Sequence, residues 1–272
     1  MNIIRADIYR MLRGKAMYIT FFVLFIFSVI TTSSMHAGQV GITFYMPDAL
    51  AELTTEEPEI AVVHTGVTGI TMLRMAAMPM ENFVFFLLPV IVAVAGAIFS
   101  HGTVKNDLAR GMSRTKLYLL KLLLATLVSV KMMLTYFIFC FVLATILGGF
   151  GGPVPPGHWL GLAQLFFMQL LLMLSFVGVG IFLAFVTKSV AAINGGYIAF
   201  AFVPMFILTI VIGLNADLIW LLDFEMLTNI KLAARIPYLE TREILRLVGL
   251  GAFIFIGTTI GGITLFRRSE IK

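Results

Sequence analysis

Residues 82–121 read NFVFFLLPVIVAVAGAIFSHGTVKNDLARGMSRTKLYLLK, an uncharged apolar run followed at once by Lys105, Arg110, Arg114, Lys116 and Lys121. A run of about 20 apolar residues, rising 1.5 Å per residue, crosses a hydrocarbon core of roughly 30 Å, and a helix does so because it satisfies its own backbone hydrogen bonds in lipid. The pattern recurs along the chain. Further apolar runs at 17–34, 122–147, 160–186, 190–212 and 247–266 bring the number of predicted spans to six, with the basic residues concentrated in alternate connections. The fold class that follows is all-α: a polytopic membrane protein with six transmembrane helices.

Composition points the same way. The chain is 60% hydrophobic and 12% charged, with a mean hydropathy of +1.02; in ordinary soluble domains charged residues alone approach a quarter. At 272 residues, six spans and their connections use nearly the whole length, so a single membrane domain over 1–272 is expected. The net charge of +5 is explained by where the charges sit. If the N-terminus is inside, Arg5, Arg10, Arg13, Lys15, Lys105, Arg110, Arg114, Lys116, Lys121, Lys188, Arg267, Arg268 and Lys272 fall on the inner side, and Arg74, Lys231, Arg235, Arg242 and Arg246 on the outer. The positive-inside rule then places both termini in the cytoplasm of a cell whose plasma membrane holds the chain. Inner-leaflet anionic lipid accounts for the basic excess, and nucleic acid is not expected as a partner.

The connections carry the remaining information. Ile4, Ile8, Met11 and Leu12 follow the i, i+4, i+7, i+8 pattern of an amphipathic helix over 1–15, lying flat on the membrane before the first span. It is either a plain anchor or a tie between the first span and something beneath the membrane. The first apolar run is too long for a cleavable signal and is read as a retained helix. An outer loop is expected over 35–81. Within it, residues 60–80 are nearly long enough to cross, but crossing would turn the basic loop outward, so they form either a re-entrant or interfacial segment or an ordered surface loop. His64, Thr68 and Thr71 would share one face, with Val67, Ile70 and Leu73 largely on another.

In the basic loop over 101–116, Gly102 can end one helix, Thr103 can cap the next, Gly111 supplies a break and Ser113 a new cap. The short helix between them carries Val104 and Leu108 on one face, with Lys105 and Arg110 elsewhere. That arrangement fits docking onto another protein, or no more than a topogenic basic loop. Lys131 is the only ionisable residue well inside a predicted span; it either lines a cavity or snorkels to the inner interface. In the last two spans Asn194, Gly195, Gly196, Gly249, Gly251, Gly257, Gly261 and Gly262, with a GxxxG spacing at Gly257 and Gly261, read as close-packing residues, and Pro204 can kink its span. Cys140, the one cysteine, has no disulfide partner in the chain, and the four histidines form no metal-ligand pattern. There is no G-x-x-x-x-G-K-[ST] phosphate loop and no G-x-S-x-G turn. The run 148–152 is a glycine-rich connection ending in prolines and lacks charge.

Taken in order, NIIRADIYRMLRGKAMYI (2–19), a first span, a long outer loop, a second span, GTVKNDLARGMSRTKLYLLK (102–121) and four further spans resemble the permease subunits of ABC-2 type ATP-binding-cassette transporters. The chain is most similar to the small permeases that export, or confer immunity to, lantibiotics and other membrane-active peptides, including phenol-soluble modulins. The layout covers the whole chain; the sharp motif is Gly102-Thr103-x-Lys105-Asn106 with Gly111-x-Ser113-Arg114. Many relatives carry an acidic residue just before the Gly-Thr pair, where this chain has Ala97 to His101. The resemblance implies that Gly102, Thr103, Val104, Lys105, Asn106, Leu108, Gly111, Ser113 and Arg114 form the helix that couples to a separate cytoplasmic ABC ATPase. ATP and Mg are then expected on that partner, with no cofactor on this chain. It also implies a second permease copy or a related permease, and an amphipathic or hydrophobic peptide as substrate. Residues 213–246, with Trp220, Leu221, Leu222 and Phe224 among Asp217, Asp223 and Glu225, resemble the outer helices that shield the exit. Two other classes stay open, an ion-coupled secondary transporter or channel and a non-transporting scaffold or sensor.

Overall fold

The computed structural model describes residues 14–38, 67–100, 102–109, 111–152, 154, 157–236 and 238–269. The amphipathic helix expected around Ile4, Ile8, Met11 and Leu12, most of the outer loop, and His101 and Arg110 lie outside the described residues. Among those described there is no strand. The elements are α1 (Lys15–His36), α2 (Gly69–Met75), α3 (Met80–Ile91), a π turn (Val92–Gly96), α4 (Ala97–Ser100), α5 (Thr103–Ala109), α6 (Arg114–Gly148), α7 (His158–Thr187), α8 (Val190–Leu214), a 3₁₀ segment (Ala216–Phe224), α9 (Met226–Ala233) and α10 (Thr241–Arg268).

Among the described residues, six helical stretches are long and apolar enough to cross a membrane: Met17–His36, Met80–Phe99, Arg114–Gly148, His158–Thr187, Val190–Leu214 and Thr241–Arg268. They coincide with the six expected spans and mark a helical membrane protein. With six crossings, the start of α1, the 102–113 connection, the α7–α8 junction and the end of α10 share one end of the bundle, here called the basic end. The second span is built from α3, the π turn and α4 in one continuous rod. Pro89 sits inside α3 and removes one backbone donor, and the wide turn begins three residues later, a usual association of proline with local unwinding.

α7 is the central helix and packs most extensively against α10. The contact is made by small residues. A Cβ on Gly251 would meet Leu171 and Leu172 of α7, and Gly178 of α7 faces Phe255 and Thr258, while on the same stripe a Cβ on Gly262 would run into the Tyr118 ring of α6. The stripe therefore runs Gly251, Phe255, Thr258, Gly262, a helical period. The Gly257–Gly261 pair expected to pack is turned off this line: Gly261 touches only Phe182, and Gly257 faces open space. Buried hydroxyls and an amide tie the helices together, since in lipid every polar group needs a protein partner. Tyr197 Oη donates to Val84 O at 2.9 Å, Tyr136 Oη to Ala76 O at 3.0 Å, Gln169 Nε2 to Ala77 O at 2.7 Å and Ser175 Oγ to Gly251 O at 2.8 Å. Phe27 and Phe83 pack on the Tyr136 ring, and Phe86 packs on both phenylalanines, joining α1, α3 and α6. The outward faces of α8 and α10, with Phe206, Ile207, Ile210, Phe253, Ile256 and Ile260, are exposed apolar surface, as lipid-facing helices require.

The described part of the 60–80 stretch does not cross. α2 is a seven-residue helix lying on the far end of α6, with Gly69 N bonded to Gly149 O at 3.0 Å and Ile70 N to Phe150 O at 3.2 Å. Val67 and Ile70 are buried and Thr71 is exposed, as the expected faces require, whereas Thr68 and Leu73 are both half-buried and His64 lies outside the described residues.

Candidate functional site

The basic loop is built as the glycines dictate. Gly102 and Gly111 adopt φ of 64° and 84°, left-handed values at which a side chain is strained, and between them the chain completes two turns as α5. Ser113 caps α6, its Oγ accepting from Lys116 N at 3.2 Å. Thr103 does not cap α5: it is the helix's first residue, and its hydroxyl donates back to Ile98 O at 3.3 Å, tying α5 to the end of α4.

The apolar face of α5 points into the protein. Val104 is 3% exposed and belongs to the main core, and Leu108 packs against that core half-buried. This differs from the expected use of both as the outward docking face; a two-turn helix has one apolar stripe, and its own bundle takes it. The exposed side carries Lys105 and Asn106, with Ala109 behind them. Arg114, expected among the ATPase-coupling residues, is bonded within this chain. Its Nη1 donates to Phe266 O at 3.2 Å, Arg267 O at 2.9 Å and Ser269 O at 2.6 Å, and its guanidinium stands 6.0 Å from the Phe266 ring centroid. A cation over the last carbonyls of a helix satisfies orphan acceptors and complements the negative end of the helix dipole. Through it the loop grips the end of α10.

Lys121 was assigned to the inner loop from sequence. It is instead the eighth residue of α6 and only 1% exposed, because α6 begins at the Ser113 cap and runs 35 residues, about 52 Å at 1.5 Å per residue. Lys131 lies midway along the same helix on an exposed face, with its Nζ 5.7 Å from the Phe21 ring centroid.

The opposite end of the bundle is a second polar layer that sequence reasoning mostly missed. The expected outer segment, 213–246, forms the 3₁₀ segment, α9 and the start of α10, with Trp220 and Phe224 exposed. Glu225, 3% exposed, caps α9: its carboxylate accepts from Leu227 N at 3.0 Å and Thr228 N at 2.5 Å. Asn229, also buried, donates to Asp223 O at 3.0 Å and Glu225 O at 2.6 Å. Asp223 pairs with Arg246 at 2.5 Å, and the buried Glu81 with Lys231 at 3.4 Å. Arg74 of α2 donates to Ile236 O at 3.3 Å and stands over the Tyr238 ring at 4.8 Å, linking α2 to the α9–α10 connection. The signal for Glu81 was present, an acid at the lip of an apolar run with a lysine in a facing amphipathic helix, but pairing across 150 residues is not visible in a linear pattern. Neither a comparison with protein-family models nor one with curated proteins finds a match to this chain.

Proposed function

We propose that this chain is the permease subunit of an ATP-driven ABC exporter of the ABC-2 type, moving amphipathic or similarly hydrophobic peptides outward across the cell membrane. ATP and Mg act on a separate cytoplasmic ATPase, and a second copy or a related permease completes the path. The observation that carries this reading is the basic loop: a short helix held between two left-handed glycines, with Val104 anchored in the core, Lys105 and Asn106 facing out, and Arg114 fixed to the last span. A protrusion that is rigidly joined to two spans and presents polar side chains is suited to receive force from a soluble partner. The 3₁₀ segment and α9, roofing the other end, suit the exit side.

The test is copurification of a nucleotide-hydrolysing subunit with the full chain, and its loss on changing the exposed side of α5. Lys105→Glu with Asn106→Ala is expected to leave melting temperature unchanged while reducing ATPase association and export about tenfold or more, the scale of losing one or two interface contacts. Normal ATPase association and export in that double variant would refute the coupling role, as would robust ATP hydrolysis by the chain alone. Glu81 gives some weight to ion-coupled transport, since it is a buried carboxylate at the mouth of a span; export that collapses with ionophores while ATP persists would favour that reading.

A further inference from the structure

A cavity of about 190 Å³ opens between α3, α8 and α9, at the end of the bundle away from the basic loop. Its two sides differ in chemistry. Phe85 on α3 and Phe202 and Met205 on α8 give it an apolar wall, while Glu81, Lys231 and Arg235 supply charge. Glu81 is 7% exposed, so the carboxylate is a built feature of the cavity wall and not a surface group. Its engagement is incomplete: Oε1 lies 3.4 Å from Lys231 Nζ, longer than a tight ammonium–carboxylate bond of roughly 2.7–2.9 Å, and Oε2 has no hydrogen-bond partner among the described residues. The terminal torsion of a glutamate is broad and nearly two-fold, so either oxygen can be turned toward the cavity. An ionised carboxylate has about four acceptor positions, and those of Oε2 are unfilled among the described residues. Lys231 is half-buried and already committed to Glu81; Arg235 is exposed at the rim, and its planar fork is the better match to a phosphate.

We propose that this cavity binds the head group of a zwitterionic amphiphile in which a primary ammonium stands beside a phosphate, as in an aminophospholipid. The ammonium donates to Glu81, the phosphate lies against Arg235 and the outer side of Lys231, and the first part of the tail runs over Phe85, Phe202 and Met205. Three features select this class. Besides the loosely paired Glu81 and Lys231, the wall carries Arg235, which has no acid partner among the described residues, and this mix of one partly used anion with a cation complements a zwitterion better than a purely anionic head. A volume of about 190 Å³ gives room for a head group and not for a whole lipid. On the side of α8 toward the middle of the bundle, Ile198 and Val203 are exposed apolar surface and give the tail a path in the bilayer. The inference does not rest on the exporter reading, because it concerns binding to this chain without an ATPase.

The test is native mass spectrometry of the full chain in detergent micelles, titrated separately with dioleoyl phosphatidylethanolamine, its N,N-dimethyl derivative, phosphatidylcholine and phosphatidylglycerol. Phosphatidylethanolamine is expected to bind about tenfold more tightly than phosphatidylcholine, the scale of one charge-assisted hydrogen bond, because a trimethylammonium has no N–H to give Glu81. The dimethyl lipid should fall between them. Glu81→Gln should erase that preference, and Arg235→Gln should weaken phosphatidylethanolamine and phosphatidylcholine alike. Equal binding of the two by the wild-type chain, which needs no variant to fold, would overturn the proposal. So would tightest binding of phosphatidylglycerol untouched by Glu81→Gln, or displacement of phosphatidylethanolamine by an apolar lysine-containing peptide at lower concentration than competing lipid.

Discussion

The two ends of the bundle solve opposite problems with the same residue types. At the basic end, Lys105 and Asn106 stand out from a helix whose apolar side is folded inward, and the arginine that is well bonded, Arg114, is used on backbone carbonyls. At the other end acids and bases meet each other: Asp223 with Arg246, Glu81 with Lys231, and Glu225 on the first turn of α9. One end presents charge outward; the other consumes it in closing a roof. The contrast shows that the count of lysines and arginines in a loop says less than what their partners are.

Substitutions should separate the two ends by the size of their effects. Val104→Asp is expected to be the most damaging: it places a carboxylate in the core under α5, where an unpaired charge costs several kcal/mol unless it protonates. Faster limited proteolysis within 101–113 and a lower melting temperature in detergent would be seen, and a wild-type digestion pattern would mean that α5 is not anchored through its apolar face. Arg114→Met comes next. Losing charge-assisted bonds to three carbonyls at a helix end should destabilise by about 1.5–3 kcal/mol, read as a melting shift and as earlier hydrogen exchange at 266–269; unchanged exchange there would detach the loop from α10. Asp223→Asn with Arg246→Gln tests the roof. The pair is partly exposed, and a double-mutant cycle should return only about 0.5–1 kcal/mol of coupling, so a value of several kcal/mol would show the roof to be the more strongly welded end. Lys131→Met should do least. Its ammonium has the Phe21 ring as a weak cation–π neighbour, and the thioether keeps much of the stem's contact, so assembly and export should stay within about twofold, the effect of half a kcal/mol. A loss of export confined to charged substrates would instead place the path beside α6.

Most of the architecture was legible because lipid imposes a simple rule: each long uncharged run had to become a helix long enough to cross the apolar layer, and the six did. The glycine breaks at 102 and 111 and the Ser113 cap were legible for local reasons. Which way α5 turned was not. Val104 and Leu108 define a stripe, but whether a stripe seeks its own bundle or a partner depends on what lies beneath it, here the main core beside α4. Lys121 was misplaced because a helix can continue past the apolar layer without any break in sequence, and the long stem of lysine lets a charge ride inside such an extension. Glu81, Gln169 and Asn229 escaped notice since their meaning lies in partners on other helices.

The length of α6 carries a mechanical consequence. A rod of 35 residues has about 26 Å on either side of its midpoint. Were it to pivot there, a tilt of about 10° would sweep its Arg114 end through roughly 4.5 Å, close to one helical turn of 5.4 Å. Because Arg114 holds the last carbonyls of α10, that travel would be delivered to the final span at the same moment, and a small angular change at one helix would become a matched stroke of two.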